Sequence, residues 1–201
     1  FGDGTFHTGT DSVFHVYLDT GFVQVGLIVG NTLGCSDTVY RQIYIKPLPV
    51  AGFRWDEMCQ LAAGSFYDTS ALINGNISGW LWDFGSGTAN TANPQFAFAN
   101  AGIQPVILTV TGNNNCKATI TQNITVRPKP LAQFVSSGAC VNAVETFQNT
   151  SSIPSGSIVS WHWDYGDGHT AITQHGQNTF TTDGNYLVHL IAISDFACKD
   201  T

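Results

Sequence analysis

Apolar and polar residues alternate from Ile77 to Phe84, so that Trp80, Trp82 and Phe84 fall on one face. Period 2 is the mark of a half-buried strand, because successive side chains of an extended chain point to opposite sides. Ala51-Gly52-Phe53 and Gly64-Ser65-Phe66-Tyr67-Asp68 read as two earlier strands, and Pro94-Gln95-Phe96-Ala97-Phe98 as a later one. Val106-Ile107-Leu108-Thr109-Val110 is the most apolar run, and Ala118 to Val126 alternates again through Ile120, Ile124 and Val126. Asn74-Gly75-Asn76 and Asn113-Asn114-Asn115 punctuate these runs with residues that turns favour. Helical periodicity is absent. About six or seven short strands in some 80 residues, with turn signals between them, predict an all-β sandwich.

The pattern repeats. Phe1-Gly2-Asp3-Gly4 returns as Phe84-Gly85-Ser86-Gly87 and again as Tyr165-Gly166-Asp167-Gly168. Pro47-Leu48-Pro49-Val50-Ala51-Gly52-Phe53 returns as Pro128-Lys129-Pro130-Leu131-Ala132-Gln133-Phe134 at nearly the same interval. Cys35, Cys116 and Cys198 keep that interval, as do Cys59 and Cys140. Agreement among independent landmarks marks a tandem array. The expected division is 1–48 as the C-terminal part of a truncated repeat, 49–129 as a complete repeat, and 130–201 as a repeat lacking its last strand. The numbering opens and closes inside a repeat, so the expectation is a window from a longer protein.

Composition narrows the function. Only 10% of residues are charged while 43% are hydrophobic, and neutral polar side chains fill the remaining surface, as in many secreted β-proteins. The net charge of -7, with only seven Lys and Arg, leaves no basic stripe to neutralise phosphates, and nucleic acid is excluded as a partner. No apolar run has the roughly 18 residues that a membrane-spanning helix needs. Each complete repeat has one early and one late cysteine, which predicts the bridges Cys59–Cys116 and Cys140–Cys198, two pairs of nearly equal span. Cys35 is the late cysteine of the first repeat. Metal ligation is the rival reading, but no CxxC or Cys/His knuckle occurs. Bridges of that loop length contribute about 4 kcal/mol in the chain-entropy model and imply an oxidising, extracellular setting.

Trp-Asp-Phe-Gly-Ser-Gly at 82–87 and Trp-Asp-Tyr-Gly-Asp-Gly at 163–168 resemble the signature of the polycystic-kidney-disease (PKD) domain family. The following aromatic-Gly-aliphatic strand is similar too: Tyr17…Gly21…Val25, Phe98…Gly102…Val106 and Phe180…Gly184…Val188. The resemblance covers nearly the whole chain and implies tandem immunoglobulin-like sandwiches. With its added cysteines, the chain resembles PKD arrays of very large bacterial cell-surface proteins, including gliding-motility adhesins and cargo of type IX secretion. Two departures stand out: Ser86 replaces the usual Asp, and Gln104 stands where Tyr186 stands one repeat later.

The motif residues Trp82, Asp83, Gly85, Gly87, Trp163, Asp164, Gly166, Asp167 and Gly168 are therefore expected to be structural, with Trp82 and Trp163 as core fillers and Asp83 and Asp164 bracing a turn. Ser86 in place of an Asp is tolerated by a turn and not by catalysis. Asp164 with Asp167 is the one corner with calcium-like oxygens, but no Asp-x-Asp-x-Asp series supports it; otherwise no cofactor and no metal are expected. Four of the six histidines (His162, His169, His175 and His189) scatter through the last repeat without an HxH or HExxH pattern. No Gly-x-Ser-x-Gly elbow occurs, and Glu57 and Glu145 are the only glutamates, so no catalytic residue and no enzyme are expected. Trp55 does not recur, Ser136 holding its register, which makes it a candidate ligand contact or junction contact. Asp11-Ser12-Val13 and Asp37-Thr38-Val39 resemble a bacterial surface O-glycosylation acceptor, with Ser12 and Thr38 as the acceptors.

The reading is an extracellular structural or adhesive segment, a stalk or filament of a large surface protein. Pro47, Pro49, Pro128 and Pro130 stiffen its junctions, because proline fixes φ. Its expected partners are the neighbouring repeats of the same chain, with surface polysaccharide or other cell-surface proteins beyond them. The rival reading is a carbohydrate- or protein-binding module attached to a secreted enzyme.

Overall fold

The computed structural model describes residues 1–9, 12–138 and 140–201. Every named element among them is a strand. In the first repeat, β1 (Gly21–Gly30) and β2 (Ser36–Ile45) form an antiparallel hairpin, Gly21 opposite Ile45. Its large side chains, Phe22 and Leu27 among them, are exposed.

The second repeat contains β3 (Phe53–Trp55), β4 (Met58–Cys59), β5 (Ala63–Asp68), β6 (Ile77–Asp83), β7 (Thr88–Ala89), β8 (Gln95–Ala97), β9 (Gly102–Gly112) and β10 (Lys117–Arg127). They form two sheets, β3-β5-β8 and β4-β10-β9-β6-β7. The third repeat contains β11 (Phe134–Ser136), β12 (Val144–Asn149), β13 (Ile158–Asp164), β14 (Thr170–Ala171), β15 (Gly176–Thr179), β16 (His189–Ser194) and β17 (Lys199–Asp200). Its sheets are β11-β12-β15 and β14-β13-β16-β17. The all-β class and the sandwich layering follow the alternation of the sequence. The two-residue strands β4 and β7 do not, since so short a run carries no period.

Each core is built on an aromatic stack between the sheets. Trp82 is fully buried against Phe53, Phe66 and Phe84. Trp163 repeats the arrangement against Phe134, Phe147 and Tyr165. Burying an indole requires a partner for its N–H: Trp82 Nε1 donates to the Thr91 carbonyl and Trp163 Nε1 to the Thr173 carbonyl, each at 2.9 Å. Pro105 lies within β9, opposite Asn123 of β10, at a level β6 does not reach, because β6 pairs only with 107–112. A residue without an N–H fits a strand where no neighbour calls for that donor.

Both repeats break register at the same place. The β6–β9 ladder shifts between Ile77 and Gly79, and the β13–β16 ladder between Ile158 and Ser160. The loop before β9 and its counterpart before β16 are held alike by different chemistry: Gln104 Nε2 donates to the Asn100 carbonyl at 3.2 Å, and Tyr186 Oη to the Thr182 carbonyl at 3.0 Å. The Gln104 departure thus conserves the bond while changing the side chain.

Candidate functional site

Two kinds of turn end each sandwich, and both carry a cysteine. The hairpin turns have one geometry in all three repeats. The Asn31, Gly112 and Ser194 N–H groups donate to the carbonyls of Cys35, Cys116 and Cys198 at 2.9, 2.8 and 2.8 Å. The residue before each cysteine has positive φ: Gly34 at 86°, Asn115 at 67° and Ala197 at 60°. The early turns match as well. Ala62 N–H donates to the Cys59 carbonyl and Ala143 N–H to the Cys140 carbonyl, with Leu61 and Asn142 at φ 65° and 62°.

These turns sit at opposite poles. β4 runs parallel to the end of β10, with Cys59 opposite Arg127, so the early cysteine lies where the chain leaves the sandwich. The hairpin turn lies where the chain enters: Lys46 Nζ donates to the Asn114 carbonyl, and Asn114 Nδ2 to the Pro47 carbonyl, at 3.0 and 2.8 Å. Cys116 is separated from Arg127 by the whole extended length of β10, about 37 Å at strand rise. A disulfide requires Cα atoms within about 7 Å.

The expected bridges Cys59–Cys116 and Cys140–Cys198 are therefore not formed. Cys59 instead joins Cys198 of the next repeat, with Cα atoms 5.6 Å apart, while Cys35, Cys116 and Cys140 are free thiols. The early cysteine of one sandwich meets the late cysteine of the following one because those two poles face each other across the Pro-Lys-Pro junction. The bridge clamps two domains where a staple within each was expected.

Further contacts crowd this junction. The Arg127 guanidinium carbon lies 3.6 Å from the Phe196 ring centroid, on the turn that carries Cys198. Arg127 Nη2 reaches Glu57 Oε1 at 3.3 Å, and Gln60 N–H donates to the Arg127 carbonyl at 2.8 Å. Lys129 pairs with Asp200, whose Oδ2 accepts from Ala132 N–H at 2.9 Å. Burial alone would raise the Asp200 carboxyl, but its bonds to Lys129 and Ala132 outweigh that and hold it below the usual carboxylate range. Arg127 and Lys129 alternate with Pro128 and Pro130 in the sequence, which is the signal that could have found them. Phe196 and Asp200 gave none, since their partners lie most of a repeat away along the chain.

The motif residues lie away from the junction. Asp83 Oδ1 accepts from Gly85 N–H at 2.8 Å and Asp164 Oδ1 from Gly166 N–H at 3.0 Å, with both glycines at positive φ. Gly87 has no room for a Cβ, which would sit 2.8 Å from the Phe96 ring. Gly168 also has positive φ, 95°. The Asp167 carboxylate is occupied by its own neighbours, accepting from Asn178 Nδ2 at 2.7 Å and His169 N–H at 3.0 Å. Desolvation pushes its pKa up, but those bonds and the His169 ring prevail and lower it to about 2.

Trp55 is half-buried, 5.9 Å from Phe53 by ring centroids and packed on the core of its own repeat. Ser12 and Thr38 are exposed, and Asp11 lies outside the described residues. Among the described residues no three metal-ligating side chains cluster, and no helix is long and apolar enough to cross a membrane.

Comparison with known proteins agrees with the repeat. The PKD domain family matches residues 49–127 and again 126–201. The pre-pro-metalloprotease PrtV of Vibrio cholerae serotype O1 is 32% identical over 130 residues, covering 64% of this chain and 14% of that protein. The chain thus spans about one-seventh of the length of this relative. Among solved structures, the PKD1 domain of the V. cholerae metalloprotease PrtV is 35% identical, covering 41% of this chain and 98% of that one, with a TM-score of 0.36. The PKD1 domain of Vibrio anguillarum Epp is 29% identical, covering 39% of this chain and 93% of that one, with a TM-score of 0.37. Two consecutive matches spanning most of the sequence make this chain a tandem member of the PKD domain family.

Proposed function

We propose that this chain is a non-catalytic, extracellular spacer: an accessory segment of a larger secreted protein, which holds what it is attached to at a fixed separation and orientation. The observation that carries this reading is the Cys59–Cys198 bridge, which crosses a domain junction. Independent domains joined by a short linker move relative to each other unless their interface is large and apolar. The contacts at this junction are largely polar, and a covalent bond beside a proline-stiffened linker supplies the constraint instead. A disulfide persists outside the cell or in another oxidising compartment.

Both a stalk and an accessory module need this mechanical behaviour. Similarity to part of a pre-pro-metalloprotease favours the accessory module of a secreted enzyme over the adhesin. The test uses spin labels at exposed Leu81 of the second repeat and exposed Val159 of the third. The oxidised chain should give a narrow distance distribution that broadens on reduction while both sandwiches remain folded by circular dichroism. Equal breadth before and after reduction would remove the spacer reading.

A further inference from the structure

We infer that Cys140 is a docking thiol for the hairpin turn of a further PKD unit, so that early-to-next-late pairing is a rule of the array. The inference deepens the junction clamp and stands whether or not the segment serves an enzyme. The argument is one of equivalent positions. Cys140 repeats Cys59 in turn geometry, down to the bond that fixes the turn: Leu61 N–H donates to the Phe98 carbonyl and Asn142 N–H to the Phe180 carbonyl, both at 2.8 Å.

The surroundings supply a second observation. At the second repeat this pole is covered by the Phe196 turn of its neighbour, with Cys198 fully buried. At the third repeat Cys140 lines a groove of about 240 Å³ with Val141, Phe180, Thr182, Asp183 and Tyr186. Val141 and Leu187 are 45% and 72% exposed. Ser137 and Gly138, ahead of Cys140, are nonetheless held in place. Glu145, 3% exposed, accepts from the Ser137 and Gly138 N–H groups at 2.8 Å each. The fitting occupant is therefore a turn like 194–198, with an apolar or amide residue two positions before its cysteine.

Bond formation balances as a two-electron oxidation. Cys140 and the incoming cysteine each give up a proton and an electron as their sulfurs join. A small disulfide such as oxidised glutathione takes both electrons and both protons and leaves as two thiols.

The test extends the full chain at its C-terminus with a second run of residues 120–201, which completes the third repeat and adds a fourth. The chain as it stands has five cysteines and one bridge, leaving three thiols. The extension adds two cysteines, the second-run equivalents of Cys140 and Cys198. After refolding with glutathione, the thiol count under non-reducing denaturation should stay at three. Mass mapping should find Cys140 joined to the second-run Cys198, with Cys59–Cys198 retained. Cys140→Ser in the extended chain should raise the count to four. A count of five, or Cys140 joined to Cys116, would overturn the inference. Loss of Cys59–Cys198 on extension would do so too, because the rule is read from that bridge.

Discussion

The second and third repeats share their registers, bulge and buried tryptophan, yet differ in how each closes its ends. The second contributes its early cysteine to the bridge and the third its late one. Inside, Trp80 Nε1 donates to Asp68 Oδ2 at 2.7 Å, whereas the equivalent Trp161 Nε1 is buried with no partner among the described residues, Asn149 standing in the place of Asp68. Gly64 lies under the Met58 side chain, and Glu145 takes its place in the third repeat. The shared layer is what makes a sandwich. The differences gather where one sandwich meets another or where a local substitution has left a donor unmatched.

The largest test removes the bridge. A loop of 139 residues is worth about 5 kcal/mol in the chain-entropy relation, the top of the measured range. Cys59→Ser should therefore lower the melting temperature and separate the two repeats into distinct transitions in calorimetry. A single unchanged transition would mean that the bridge does not couple them.

Glu145→Ala comes next. It removes the buried carboxylate that accepts from the Ser137 and Gly138 N–H groups, an expected cost of about 2 kcal/mol for charge-assisted bonds, confined to the third repeat. Chemical denaturation with Trp55 replaced by Phe, so that emission is less weighted toward the second repeat, should place the loss there. A loss in the second repeat instead would contradict the assignment.

Asn149→Asp should act in the opposite direction. A carboxylate at Asp68's position gives Trp161 Nε1 its missing acceptor, and about 1 kcal/mol of stabilisation is expected. The indole N–H resonance should move as it does for a hydrogen-bonded donor, and an unshifted resonance would show that the carboxylate does not reach it.

The smallest effect is one of pH. The Asp200 pKa is depressed by folding, so its contribution is complete above the unfolded value near 3.9 and disappears as pH falls through the folded one. Melting of the third repeat should weaken below about pH 4, and Asp200→Asn should flatten that limb. Asp167, lowered to about 2, keeps some acid dependence in the variant.

Much of the fold was legible in the chain. Alternation around Trp82 and Trp163 specifies which face is buried, because a slip of a single position would turn those rings to solvent. The Trp-Asp-aromatic-Gly segments specify an Asp-braced turn through bonds that reach only to the next residue but one. Trp55 was harder: failure to recur suggested a ligand or junction contact, yet the ring packs half-buried on the core of its own repeat, while Ser136 at the equivalent position of the third is exposed. The cysteines were hardest. Five thiols at regular spacing announce pairing, and the near-equal spans of Cys59 to Cys116 and Cys140 to Cys198 made pairing within a repeat look natural.

By itself the sequence determined the repeat, the longer strands, their buried faces and the turns, since each depends on close neighbours along the chain or on a period. Only the tertiary structure decided which sulfur meets which. The strands of a sandwich carry its two cysteine turns to opposite ends, so separation along the chain says nothing of distance in space. The sulfur that Cys59 meets lies in the next domain.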